Sequence, residues 1–166
     1  MAHLEYNNSV WAPYKRCDIE KLEKVQKRAT KMLPSLRKMP YPERLKKLGL
    51  PTLIYRRSRG DVIETYKLLS GKYDSQVALK IPLYLSDDHH TRGNSRKLLV
   101  KRCHYNLRKY FFSNHIINIW NSLPDSIVMV DTVNQFKNRL DKYWKNCDFV
   151  YDHRATYTGT GGRFCV

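Results

Sequence analysis

From Ile19 onward, apolar residues recur with a helical period. Ile19, Leu22, Ala29 and Leu33 form one stripe, with Val25 and Met32 beside it. Leu22, Val25 and Ala29 are expected to face a core, and Lys24 and Lys27 to face solvent. Asp18 stands where its carboxylate would accept an orphan backbone N–H at the helix start. Glu20 and Glu23 each precede a lysine by four positions, the favourable order for ion pairs on a helix surface. Pro34 and the following segment to Pro42 break the period. The run Pro42-Glu-Arg-Leu-Lys-Lys-Leu48 then predicts a short helix with proline at its start and Gly49 at its end. After a turn at Leu50-Pro51, Thr52 is placed to cap a longer helix reaching about Ser70. Val62, Tyr66 and Leu69 share one face of it, Ile63 flanks them, and Gly71 supplies a stop. Gly60 interrupts this helix at a cost of about 1 kcal/mol relative to alanine.

The second half is less regular. Residues 72–95 carry Pro82, Gly93 and polar clusters and are expected to be mostly loop. Leu98-Leu99-Val100 and Tyr110-Phe111-Phe112 bracket a stretch rich in Lys and Arg, whose pattern suits a small basic β-hairpin over about 96–112 or, nearly as well, a helix. Ser113 is a candidate cap for a helix carrying Ile116, Ile117, Ile119 and Trp120, ended by Leu123-Pro124. Thr132-Val-Asn-Gln135 has the form of a capping box. It opens a helix with the stripe Val133, Phe136, Leu140 and Tyr143, with Trp144 adjacent. From about Cys147 the chain has Gly159, Gly161 and Gly162 and no period, as expected of a flexible tail. The fold class expected is mainly α. Residues 1–71 would form one helical region, 72–95 a linker, 96–146 a basic segment with the C-terminal helices, and 147–166 the tail.

Charge changes this picture. The 166 residues include 31 Lys and Arg against 15 Asp and Glu, a net charge of +16. That excess disfavours the compact state by self-repulsion and points to a polyanionic partner, nucleic acid before an anionic membrane. No run of eighteen apolar residues and no signal-peptide core occurs, so no membrane partner is expected. The three tryptophans and twelve tyrosines supply enough bulk for a core. Cys17, Cys103, Cys147 and Cys165 form no CxxC pair, and reduced thiols in an intracellular compartment, nuclear or cytoplasmic, are expected.

Arg92, Arg96, Lys97, Lys101, Arg102, Arg108 and Lys109 are seven cations in a stretch with no acidic residue. His104 and Tyr105 interleave with them. Phosphate neutralisation accounts for the cations, and aromatic rings stack on bases. Arg56, Arg57 and Arg59 make a second cluster on the long helix. The helical period prevents all three from pointing one way, so at least one is expected to be buried against an acid such as Asp61 or Glu64. Cys147, His153 and Cys165 are too irregularly spaced for structural zinc, and Asp87-Asp88-His89-His90 is at most a loose ion site. No metal and no cofactor is expected. No Gly-x-Ser-x-Gly elbow or phosphate-binding glycine loop is present.

The order of short motifs is more specific than any one of them. Leu4-Glu-Tyr6 and Val10-Trp-Ala-Pro-Tyr14 are followed by Leu22-Glu-Lys-Val-Gln-Lys-Arg-Ala29, Arg44-Leu-Lys-Lys-Leu-Gly-Leu-Pro-Thr52 and Tyr55-Arg-Arg-Ser-Arg-Gly-Asp61. Glu64-Thr-Tyr-Lys67, Thr91-Arg-Gly93, Phe111-Phe-Ser-Asn114, Asn118-Ile-Trp-Asn-Ser-Leu-Pro124 and Phe136-Lys-Asn-Arg-Leu-Asp141 complete the series. Over roughly residues 4–144 the chain resembles the post-palm region, thumb and C-terminal segment, of reverse transcriptases from LINE-type (non-LTR) retrotransposons, jockey-like elements and their relatives. The resemblance implies a helical thumb-like bundle that grips RNA or an RNA/DNA hybrid through backbone phosphates, with an upstream polymerase palm as a further partner. The family's catalytic aspartates belong to the palm, in an aromatic-x-Asp-Asp motif. Asp87-Asp88 follows Tyr84-Leu85-Ser86, so its aromatic is one position too distant. Two-metal chemistry needs carboxylates from separated segments holding ions about 3.5–4 Å apart. The chain is therefore expected to be non-catalytic, and Met1-Ala-His3 looks like a start placed inside a longer element. The alternative is a decayed or domesticated helical module that binds protein partners.

Overall fold

The computed structural model describes residues 13–73, 94–100 and 102–155. The protein is mainly α-helical. Its helices are α1 (Arg16–Lys31), α2 (Tyr41–Leu48), α3 (Leu53–Leu69), α4 (Asn106–Lys109), α5 (Phe112–Asn121), α6 (Asp125–Val128) and α7 (Val133–Trp144), with short 3-10 turns at Pro34–Leu36 and Asp148–Val150. Among the described residues there is no strand element, so the basic hairpin does not form.

The helix ends follow from local chemistry. The Thr52 hydroxyl accepts from the Tyr55 N–H at the start of α3, and the Thr132 hydroxyl accepts from the Gln135 N–H at the start of α7. Gly49, at φ 61°, ends α2, and the Leu50 N–H donates to the Leu45 carbonyl at 3.0 Å. This six-to-one bond needs a left-handed residue in the turn, which glycine adopts without a Cβ penalty. Two expected caps are absent. α1 starts two residues before Asp18, whose carboxylate instead meets Lys21 at 3.1 Å. Ser113 lies inside α5, which Phe111 precedes.

The core forms where α3 meets α5 and α7. Val62, Tyr66, Ile116, Trp120, Leu123, Phe136 and Leu140 are essentially inaccessible. Tyr66 stacks on Phe136 with centroids 4.3 Å apart, and its hydroxyl donates to the Val130 carbonyl. Leu98 joins the same cluster through the segment 94–100, which turns at Ser95 and Arg96. Side chains also pin that segment to α5. The Asn121 amide donates to the Leu98 carbonyl and accepts from its N–H, both at 2.8 Å. Trp120 Nε1 donates to the Arg96 carbonyl at 2.7 Å, and buried Asn94 donates to the carbonyls of Trp120 and Leu123.

The beginning of the expected tail is also part of the core. Cys147, Phe149 and Val150 are buried, Phe149 against Tyr55 and Trp144. The Thr52 hydroxyl donates to the Phe149 carbonyl and its N–H to the Val150 carbonyl, each at 2.8 Å. A segment without periodicity is thereby fixed on the start of α3. Residues 156–166 lie outside the described residues.

The sequence assigns α1 the wrong inner face. Val25 and Met32 are 51 and 79 % exposed, and Ala29 is exposed too. Ile19 and Leu22 are half-buried, while Glu23, Gln26 and Thr30 are buried. The inward face is offset from the apolar stripe, with Val25 and Met32 included, by roughly a quarter of a turn. Glu23 accepts from the Tyr41 hydroxyl at 2.6 Å and from the Leu53 N–H, at the positive end of α3, at 3.1 Å. Gln26 donates to the Pro51 carbonyl and accepts from Arg56 Nη2 at 2.6 Å. The Arg44 guanidinium reaches the Lys27 carbonyl at 3.1 Å. α1 is therefore docked by hydrogen bonds. The expected Glu23–Lys27 surface pair is absent because Glu23 points inward, and Glu20 pairs with Arg16 instead of Lys24.

Candidate nucleic-acid interface

The basic stretch 102–111 forms a shelf on the bundle. Tyr105, in extended backbone, precedes the single turn of α4, and Phe111, also extended, precedes α5. Between them Arg108 and Lys109 are exposed, and Arg102 is exposed on the approach. Among the described residues no carboxylate is ion-paired with these three cations. Tyr105 is 78 %, Leu107 82 % and Phe111 52 % exposed. The neighbouring Phe112 is only 3 % exposed, so the Tyr110-Phe111-Phe112 run turns one ring inward and Phe111 outward.

The shelf has a definite footing. Asn114 donates its amide to the Arg108 carbonyl and to Cys103 Sγ, the latter at 3.3 Å. His115 Nε2 lies 3.1 Å from Asp61 Oδ2, and its Nδ1 lies 3.4 Å from the Phe111 carbonyl. Asp61 is almost wholly buried in α3, so this contact ties the start of α5 to the central helix. Tyr110 stacks on Tyr14 with centroids 4.4 Å apart and planes 10° from parallel, and Lys109 Nζ lies 5.7 Å from the Tyr110 centroid. Under the shelf, a cleft of about 360 Å³ is lined by Cys103, Lys109, Asn114 and His115, among others.

The other candidate cations lie elsewhere or are occupied. Arg92 and Lys101 lie outside the described residues. Arg96 is half-buried with its carbonyl held by Trp120, and Lys97 is half-buried and engaged. The α3 cluster is structural in its contacts. Arg57 is 6 % exposed, Arg56 binds Gln26, and Arg59 grips Asp141 through two bonds of 2.6 and 2.7 Å. The expectation that one arginine is buried holds for Arg57, and the acid that pairs with Arg59 is Asp141, eighty-two residues away. No local rule points to it.

Burial and the Glu23 hydrogen bond push the Tyr41 phenol well above its ordinary range, and burial, aided by nearby Asp141, pushes Tyr55 up to about 12. Both rings are structural. Among the described residues no group of three or more His, Cys, Asp or Glu is placed to hold a metal ion, and no helix is long and apolar enough to cross a membrane. Asp87, Asp88, His89, His90 and Cys165 lie outside the described residues. Cys17 and Cys103 are outside any disulfide, whereas Cys147 is disulfide-bonded, so the expectation of reduced thiols does not extend to it.

No protein-family model, curated protein or solved structure matches the chain. Sequence reading singled out Arg102, Tyr105, Arg108 and Lys109 through charge and aromatic interleaving, and the structure leaves all four exposed. It missed Phe111, read only as part of an apolar bracket, and the support given by Asn114 and His115.

Proposed function

We propose that this chain is a non-catalytic, thumb-like region of a LINE-type reverse transcriptase that binds RNA or an RNA/DNA hybrid through backbone phosphates. One observation carries the binding reading: Arg102, Arg108 and Lys109 stand exposed on a single shelf with no carboxylate ion-paired to them among the described residues. The net charge of +16 agrees with it. The motif order from Leu4 to Asp141 supports the origin. Arg56, Arg57 and Arg59 are left out of the interface because packing and Asp141 already hold them.

The test is a salt titration of affinity for unrelated RNA and hybrid sequences. Log K should fall against log salt by about 0.7–0.9 per phosphate contacted, with little difference between sequences. Replacing Arg102, Arg108 and Lys109 by alanine should weaken every sequence alike and shallow the slope by about one unit per cation. An unchanged slope in a variant with the wild-type circular dichroism spectrum would remove this shelf from the interface.

A second reading, a helical module for protein partners, is favoured by the open apolar stripe Val25, Ala29 and Met32 on α1. It predicts that replacing Val25 and Met32 by serine leaves nucleic-acid affinity untouched and abolishes partner binding.

A further inference from the structure

We infer that the shelf around α4 takes an unpaired stretch of nucleic acid, with the rings of Tyr105 and Phe111 stacking on its bases. The inference rests on the phosphate-binding reading and specifies which form of the strand this site accepts.

The two rings occupy equivalent places. Each belongs to the extended residue immediately before a helix, Tyr105 before α4 and Phe111 before α5, so they bracket one helical turn. That turn carries Arg108 and Lys109, both exposed. Along the chain the order is therefore ring, two cations, ring, with exposed Leu107 and the stacked Tyr110 between. Phosphates and bases likewise alternate along a single strand. At 78 and 52 % exposure, both rings stand well clear of the core. Burying such aromatic area in the protein's own interior is the ordinary outcome, and Phe112 does so at the next position.

Tyr110 is a different case. One face already lies against Tyr14, and Lys109 sits over the ring, so it contributes to the footing rather than the platform. The contacts of Asn114 with the Arg108 carbonyl and of His115 with Asp61 hold the shelf in place before any ligand arrives. Less ordering is then required on binding.

A duplex does not satisfy this arrangement. Its base faces are covered by neighbouring base pairs, leaving edges and phosphates to the protein, so protruding rings would find nothing to stack on. A single strand offers both faces of every base, and stacking tolerates any sequence. The same rings and cations, with Leu107 between them, would also suit an anionic lipid surface. The alternation of rings with cations favours the strand.

The experiment compares three probes on the full chain: a mixed-sequence single-stranded RNA, the same RNA annealed to complementary DNA, and an abasic ribose–phosphate strand of equal length. Phosphatidylserine vesicles serve as a fourth. The single strand should bind more tightly than the hybrid, whose bases are already stacked, and more tightly than the abasic strand. A hybrid that binds as tightly and is weakened as much by the two ring variants overturns the preference for an unpaired strand. Tyr105→Ala and Phe111→Ala should each reduce affinity for the single strand by roughly five- to a hundredfold. Neither should change affinity for the abasic strand or the salt slope, since no charge is removed. Equal affinity for abasic and base-bearing strands overturns the stacking inference while leaving the phosphate reading intact. Loss of vesicle binding in the two variants, with RNA binding unchanged, overturns it in favour of a lipid surface. Failure of all strands to bind with salt-dependent affinity overturns the phosphate reading as well. Both side chains are exposed, so the substitutions leave folding intact, and a urea midpoint equal to wild type verifies that.

Discussion

Replacing Glu23 by alanine should destabilise the protein more than replacing any member of the apolar stripe on the same helix. Glu23 is 2 % exposed and holds two donors, the Tyr41 hydroxyl and the Leu53 N–H. A hydrogen bond to a charged group contributes about 1.5–3 kcal/mol, and a buried donor left without a partner costs about 1–3 kcal/mol. Removing the carboxylate strands both donors, but it also relieves the cost of keeping a carboxylate out of water. The net should be roughly 2–4 kcal/mol. Val25 and Met32 remain 51 and 79 % exposed, so most of their area never leaves water. Truncation to alanine there should cost well under about 1 kcal/mol. Leu22, half-buried, should fall between. Glu23→Gln separates shape from charge: the amide accepts from one donor but turns its own N–H groups toward the other, so most of the loss should persist. Urea unfolding, followed by the fluorescence of buried Trp120 and Trp144 and by helical circular dichroism, measures these differences, provided the slopes stay equal. Should Val25→Ala or Met32→Ala cost as much as Glu23→Ala, α1 docks through its apolar stripe and the polar interface described above is wrong.

Thr52 joins two distant segments, so Thr52→Ala should cost about 1–3 kcal/mol, with Thr52→Ser recovering most of it; equal urea midpoints for alanine and wild type would refute the clasp. The raised pKa of Tyr41 gives a signed pH effect. Its contribution to stability is fully present below the ordinary phenol value near 10 and is lost as pH rises from there toward the folded-state value. Wild type should therefore lose more stability than Tyr41→Phe between about pH 10 and 12, and parallel pH profiles would contradict the burial of that hydroxyl. Given primed RNA template, nucleotides and magnesium, the chain should extend no primer above background; extension that Asp87→Ala with Asp88→Ala abolishes would overturn the non-catalytic reading.

Much of the architecture was written locally. The helical period, Thr52 and Thr132 as caps, and glycine after α2 and α3 placed three helices with their ends close to the observed ones. These features depend on groups a few residues apart, which a sequence displays directly. The stripe of α7 was legible in part: Phe136 and Leu140 are buried as expected, Val133 and Tyr143 are only half-buried, and Trp144, read as adjacent to the stripe, is the third buried side chain. On the candidate interface, the charge excess and the alternation of Tyr105 with Arg108 and Lys109 were equally plain.

What the tertiary structure decided is where polar groups find partners. Periodicity shows that α1 has an apolar face, but not that this face must turn inward. A glutamate and a glutamine become good interior residues when the start of α3 presents an N–H, a carbonyl and an arginine to them, and those partners lie 25 to 30 residues away. The same logic tied Arg59 to Asp141 and let Asn121 fasten Leu98 to α5. It also fastened the unpatterned segment at Phe149 and Val150 onto Thr52. Burial of an apolar side chain is favourable almost anywhere, so a pattern reveals it. Burial of a polar one is favourable only where a complementary group waits, and only the folded chain sets that position.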